Sequence, residues 1–136
     1  MTLILGLNAF HADAAAALVR DGEVIAAAEE ERFRRIKHWA GFPSQAIAWC
    51  LADAGLSLAD VNHIAINSLP KAHRWRKALY TLSHQPSPGF LWDRWRNKRE
   101  RAGLATQLAR AFPKQPIKAQ LHFIEHHRAH LASAFY

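Results

Sequence analysis

Residues 3–28 read LILGLNAFHADAAAALVRDGEVIAAA and contain three short apolar runs. The first run, residues 3–9, is typical of a buried strand, and a polar kink at residues 10–13 separates it from the second. Asp21-Gly22 follows the second run and is a preferred dipeptide for a two-residue hairpin turn. Alanine favours helix, but this turn favours strands on both of its sides. We therefore predict an antiparallel meander of three strands.

Helices and further strands are predicted beyond the meander. Residues 44–54 place their apolar side chains on one helical face, and Gly55 is the expected C-terminal cap. The remaining predicted elements are strands at residues 63–67 and 117–124, and helices at about 71–82, at about 90–112 and from His126 onward. The expected fold class is α/β, with a mixed sheet flanked by helices.

The composition indicates a folded protein of the cell interior. Half of the 136 residues are hydrophobic, which is enough for a core. No apolar run reaches the roughly 20 residues of a membrane helix, and the start of the chain does not resemble a secretory signal. Cys50 is the single cysteine, so it has no internal disulfide partner and is expected to be a buried helix residue. We expect a cytoplasmic location and no membrane contact.

The positive charge is concentrated in one part of the chain. Residues 71–118 hold twelve Lys or Arg residues against Asp93 and Glu100, within a formal net charge of +7. Basic residues are interleaved with tryptophans here, as in Trp92, Arg94, Trp95 and Arg96, a composition that can bind single-stranded nucleic acid. The same tryptophans have the helical spacing of a packing stripe, and we favour that interpretation over nucleic acid. A non-catalytic basic module that binds nucleic acid or a partner protein remains the alternative function.

Polar residues follow the first predicted strand. Asn8, His11 and Asp13 lie where side chains and backbone amides at a sheet end often bind anions or metals. His11 could donate a proton or stabilise an oxyanion. The alternative is an Asx turn, in which the Asp13 carboxylate bonds its own backbone.

A dense charged run, EEERFRRIKH, covers residues 29–38. Such a run is usually a solvated surface whose charges pair with one another. The functional alternative is an anion clamp, in which Arg35 and Lys37 reach a phosphate or a carboxylate.

Three histidines lie in HHRAH, residues 126–130. On a helix, His126 and His130 face the same way and could present two imidazoles to one metal ion. His127 points elsewhere. Two ligands do not make a tight site, so a third must come from another part of the protein. The alternative is that these histidines only cap the start of a helix or lie in solvent there.

These motifs resemble, in order and spacing, the nodulation-factor and antibiotic O-carbamoyltransferases. The matching blocks are ILGLNA at 4–9, HADAAAAL at 11–18, DG at 21–22, EEERF at 29–33, Arg35, KH at 37–38, GFP at 41–43, HHRAH at 126–130 and ASAF at 132–135. The resemblance is good over residues 3–55 and 122–136 and weak over residues 70–118. The amino-terminal half of this family is similar to tRNA threonylcarbamoyl-transfer proteins, and both belong to the actin, sugar-kinase and heat-shock ATPase superfold.

The resemblance implies a two-step reaction. Such enzymes use carbamoyl phosphate and ATP to make carbamoyl-adenylate, and the carbamoyl group then passes to a hydroxyl of a sugar, aminoglycoside or other small acceptor. His126 and His130 match paired ligands of a divalent metal, for which iron is the expected ion. The matching aspartate ligand would lie beyond Tyr136.

The resemblance also implies roles for the residues of the first loop and the charged run. Asp13, His11 and Lys37 are the expected catalytic residues: Asp13 orients or deprotonates the acceptor, and Lys37 stabilises negative charge. Asn8 and Arg35 are the expected cofactor-binding residues.

By this resemblance, residues 1–136 form an incomplete amino-terminal lobe with a basic helical insert at about 71–114. The helical pattern runs to Tyr136 without a cap, which indicates a fragment. The second lobe and the adenylate-forming domain would be missing partners, and the fragment is expected to be inactive alone. A related reaction, tRNA modification or hydrogenase maturation, remains open, although the residue 29–43 block favours the small-molecule branch.

Overall fold

The computed structural model describes residues 1–10, 12–67 and 103–133. Its strands form one mixed sheet in the order β3-β2-β1-β4-β5. β1 and β2 are antiparallel, as are β2 and β3, whereas β4 and β5 run parallel to β1. The strands are β1 (Leu3–Asn8), β2 (Ala15–Arg20), β3 (Glu23–Glu29), β4 (His63–Ile66) and β5 (Gln120–Phe123). The predicted α/β class is confirmed.

The predicted three-strand meander is also confirmed. Asp21 and Gly22 connect β2 to β3 with φ angles of 49° and 95°, the left-handed backbone that a type I′ turn requires at both positions. The Asp21 carboxylate accepts the backbone N–H of Thr2 at 2.7 Å, which ties the turn to the start of the chain. The turn chemistry of the sequence therefore outweighed the helix preference of its alanines.

The core lies between the sheet and two helices, one of which contributes the buried Leu104 and Leu108. The side chains of β1 alternate, so Leu3, Leu5 and Leu7 are buried on one face. Helix α2 (Ser44–Asp53) covers that face with the predicted apolar side chains, including the buried Cys50. Burial raises the pKa of the Cys50 thiol, so this side chain is a neutral packing residue.

Gly55 ends helix α2 as predicted. Its φ is +65°, and the N–H of Leu56 donates to the carbonyl of Leu51 at 2.9 Å. The N–H of Gly55 donates to the carbonyl of Ala52 at 3.1 Å, which completes a Schellman motif.

The remaining helices are short. They are α1 (Glu30–Arg34), α3 (Leu104–Ala111) and α4 (His126–Ser133), and a 3₁₀ turn covers Leu58–Asp60. Helix α3 matches the end of the helix predicted at about 90–112, and α4 begins where the sequence predicted. The helix at about 71–82, the start of the 90–112 helix and most of the basic insert lie outside the described residues. No helix in the described ranges has the length and apolar character needed to cross a membrane.

Candidate active site

The loop after β1 is shaped by two asparagines. Asn8 donates its side-chain amide to the carbonyls of Ala12 and Asp13, at 3.3 and 2.8 Å. Asn67 follows the neighbouring parallel strand β4 and donates to the Asn8 side-chain oxygen at 2.7 Å. Asn8 therefore uses its amide to hold the loop, whereas the sequence interpretation assigned it to cofactor binding, which stays a prediction.

Backbone strain marks the same loop. Phe10 and Asp13 have φ angles of 64° and 63°, a left-handed conformation that costs a non-glycine residue roughly 1–2 kcal/mol. Two backbone hydrogen bonds pin the loop: Phe10 N to Gly41 O at 3.3 Å, and Ala14 N to Trp39 O at 2.9 Å. His11 lies in this loop but outside the described residues, so its role stays a prediction.

Asp13 bonds a histidine that is distant in sequence. Its Oδ1 lies 2.8 Å from Nδ1 of His38, and the two side chains are 55% and 75% exposed. The hydrogen bond and charge of Asp13 raise the pKa of His38 above 6.5, with a smaller contribution in the same direction from Glu31. In the described structure, the Asp13 carboxylate therefore bonds the His38 ring instead of forming an Asx turn with its own backbone.

The charged run has a buried component that the sequence did not predict. Glu30 begins helix α1 and is 0% exposed. Its carboxylate accepts Nε of Arg34 at 2.8 Å and the backbone N–H groups of Gln45 and Ala46 at 2.9 and 2.8 Å. Glu30 is thus an N-terminal cap for helix α2, supplied from a different helix.

Four other charged residues of this run line an open cleft of about 410 Å³, which is called the basic cleft below because three of them are cations. Its lining residues are Glu31, Arg32, Arg35, Ile36 and Lys37. The structure thus brings together Arg35 and Lys37, the two cations of the predicted anion clamp. Glu31 bridges this cleft and the Asp13–His38 pair, because its Oε2 accepts the backbone N–H of His38 at 3.3 Å.

The predicted metal ligands lie on helix α4. Its backbone is helical over His126–Ser133, so His126 and His130 keep the four-residue spacing that places both on one face. Their side chains lie outside the described part, and no group of three or more His, Cys, Asp or Glu side chains within that part could hold a metal. Two imidazoles are suitable ligands for a divalent metal, but they supply only two of the three or four protein ligands that such a site needs.

A second histidine pair lies away from the loop. His63 on β4 and His122 on β5 place ring nitrogens 3.1 Å apart. Both alternate with residues that pack into the core, so they lie on the other face of the sheet.

Sequence reasoning gave no role to His38, Glu30 or Asn67. His38 lay in the quoted KH block, and Asn67 was visible as a polar residue at the end of a predicted strand. Their partners are 25 and 59 residues away in the chain, a separation that no local pattern reports.

The family of the chain follows from comparison with known proteins. The model of the protein family described as "Carbamoyltransferase N-terminus" matches residues 3–136 of this chain. The chain belongs to this family of carbamoyltransferase amino-terminal domains, as the motifs predicted.

Two curated relatives extend the match. Uncharacterized protein sll1178 of Synechocystis sp. is 40% identical over 143 residues, which cover 100% of this chain and 23% of that protein. Nodulation protein NolNO of Sinorhizobium fredii is 36% identical over 130 residues, which cover 94% of this chain and 18% of that protein. The chain therefore spans about a fifth of the length of these relatives.

Proposed function

We propose that this chain is the amino-terminal lobe of an O-carbamoyltransferase that uses carbamoyl phosphate and ATP. The reaction passes through carbamoyl-adenylate and ends on a hydroxyl of a sugar, aminoglycoside or other small acceptor. One observation carries the proposal: the contact between Asp13 and His38 fixes the loop after β1 beside the cleft that contains Lys37. This supports the proposal, because transfer of an acyl-type group to a hydroxyl needs a proton-transfer group and an anion-binding group close together.

The sheet supports the expected actin-like superfold. The order β3-β2-β1-β4-β5, with an antiparallel meander followed by parallel strands, is the arrangement expected for its first lobe. In open α/β sheets, ligands bind outside the carboxyl ends of parallel strands. Asn8 and Asn67 lie at the ends of the parallel strands β1 and β4 and contact each other there.

The cations of the cleft suit the anionic groups of this reaction. Arg35 and Lys37 would bind phosphate oxygens and offset the charge that develops as the carbamoyl group moves. His126 and His130 would hold a divalent metal, iron by family expectation. When bound, that ion would neutralise charge on nucleotide phosphate oxygens. The third ligand is expected from the second lobe.

This proposal includes a missing half. The second lobe and an adenylate-forming domain would complete the enzyme, and residues 1–136 alone are expected to be inactive. Since carbamoyl phosphate and ATP are substrates of the cell interior, we propose a cytoplasmic location.

The test compares the complete product of the gene that encodes this chain with residues 1–136 alone. Each is incubated with labelled carbamoyl phosphate, ATP and a panel of sugar and aminoglycoside acceptors. We expect carbamoylated acceptor from the complete product and none from residues 1–136. Absence of product from the complete protein across the panel would refute the proposed reaction, and product from residues 1–136 would refute the need for a second lobe.

A further inference from the structure

The contact between Asp13 and His38 fixes where the histidine carries its proton. An ionised carboxylate only accepts hydrogen bonds, so Nδ1 of His38 must supply the hydrogen at 2.8 Å from Asp13 Oδ1. In the neutral imidazole, the lone pair then lies on Nε2. A carboxylate that holds a histidine in this tautomer is the arrangement that prepares an imidazole to take a proton from a hydroxyl.

Both residues of this pair have an unfavourable backbone conformation. Asp13 and His38 both have left-handed backbones, with φ angles of 63° and 54°. Strained residues that persist in a fold must be over-determined by their surroundings, and such strain concentrates at functional sites. The hydrogen bonds of Phe10 to Gly41 and of Ala14 to Trp39 join the segment on both sides of Asp13 to the segment that follows His38. The pair is therefore preorganised by the backbone.

Nε2 of His38 is open to a substrate. The side chain is 75% exposed, and Nε2 has no hydrogen-bond partner among the described residues. Its chain neighbour Lys37 lines the basic cleft, and the backbone N–H of His38 donates to Glu31, another lining residue, so His38 belongs to the segment that borders the cleft. An imidazole titrates near pH 6.5 and a carboxylate near about 3.9, so the imidazole is the better base for neutral-pH chemistry.

We propose that His38 is the general base of the transfer reaction and that Asp13 is its positioning residue; this rests on the proposed function above. The acceptor oxygen attacks the carbonyl carbon of carbamoyl-adenylate and forms a new C–O bond. The C–O bond to the adenylate phosphate breaks, and its electron pair leaves with the nucleotide. The hydroxyl proton passes to Nε2 of His38 and from there to solvent.

The charges around His38 define the pH dependence of this step. Asp13 contacts its ring, Glu31 contacts its backbone N–H, and Lys37 precedes it in the chain. Asp13 raises the pKa of His38, and the base acts in its unprotonated form, so transfer should increase as the pH rises through that raised pKa. Asp13→Asn removes most of this effect, so the midpoint should move down towards about 6.5.

The first test uses nitrogen-detected NMR on this chain and does not depend on activity. We expect His38 to carry its proton on Nδ1, to titrate above 6.5, and to titrate at lower pH in Asp13→Asn. An Nε2–H tautomer, or a titration that Asp13→Asn leaves in place, would overturn the pairing and the inference with it.

The second test measures transfer rate against pH in the complete product of the gene. His38→Asn keeps a donor near the Nδ1 position but has no base, so transfer should fall by about 100-fold or more. His122→Gln, on the other face of the sheet, is the matched control and should leave the rate unchanged. Asp13→Asn should shift the midpoint of the pH profile downwards.

The outcomes separate the inference from the function. If the wild-type protein transfers carbamoyl and His38→Asn does so at the same rate with the same pH profile, His38 is not the base and the function stands. Loss of transfer in His11→Asn alone would assign the base to His11 and overturn the inference. If the wild-type protein makes no carbamoylated product, the proposed function fails and this inference fails with it.

Discussion

The carboxylate of Glu30 accepts the backbone N–H of Ala46 at 2.8 Å, although the two residues belong to different helices. The same carboxylate accepts the N–H of Gln45 and pairs with Arg34 while being 0% exposed. One buried acid thus joins the charged run, which carries the basic cleft, to the helix that covers the core. The position of the cleft relative to the sheet depends on this acid.

Replacing Glu30 with alanine should therefore destabilise the fold. The change leaves two N–H groups of α2 and the Arg34 guanidinium without their partner, at an expected cost of about 3 kcal/mol in unfolding free energy. Glu29→Ala is the matched control, because its ion pair with Arg32 spans 4.0 Å between exposed groups and should change stability by less than about 0.5 kcal/mol. Urea unfolding measures both variants, and equal losses would contradict the capping role.

Gly41→Ala should disturb the segment that pins the first loop. An added Cβ would lie 2.7 Å from Nε1 of Trp39, whose ring carries the Arg34 guanidinium 4.5 Å from its centroid. Because this ring is packed, we expect a loss of about 1–3 kcal/mol. Gly6→Ala is the control, since its Cβ would meet nothing closer than 3.7 Å. Thermal unfolding that ranks Gly6→Ala below Gly41→Ala would contradict this packing.

The Asp13–His38 pair should contribute additional stability when His38 is protonated, because the neutral ring keeps the hydrogen bond but loses the charge attraction. Because folding raises the pKa of His38, the contribution is fully present below about pH 6.5 and is lost as the pH rises through the raised value. Between about pH 5.5 and about pH 8.5, the wild type should therefore lose more unfolding free energy than Asp13→Asn. Parallel curves for the two proteins would mean that the pair does not form in solution.

The histidines of α4 allow a matched test of the metal site. His126→Ala and His130→Ala should each weaken iron(II) binding to the complete product of the gene by about tenfold or more, since even residues that only support a ligand cost that much. Position 127 is on another side of the helix, so His127→Ala should bind iron(II) as the wild type does. Equal effects of all three changes in a calorimetric titration would contradict a site built on the four-residue spacing.

Local signals predicted much of the fold. Asp21-Gly22 specified the hairpin because two positive φ angles are needed there, and Gly55 ended α2 for the same reason. The candidate site depends on contacts between distant residues: His38 reaches Asp13 across 25 residues, and Glu30 reaches Ala46 across 16. Such contacts exist only once the sheet and helices have formed, so the motifs located the loop and the cleft but not the residues that join them.

The central claim is that the corner formed by the first loop and the basic cleft is where the carbamoyl group is transferred. Comparing Lys37→Met with Lys114→Met tests it most directly, because both changes remove one lysine charge and only Lys37 lines the cleft. In the complete product of the gene, we expect Lys37→Met to reduce carbamoyl transfer by about 100-fold or more, as loss of a group that stabilises transition-state charge does. Lys114→Met should keep the wild-type rate. Wild-type transfer by Lys37→Met would contradict the account.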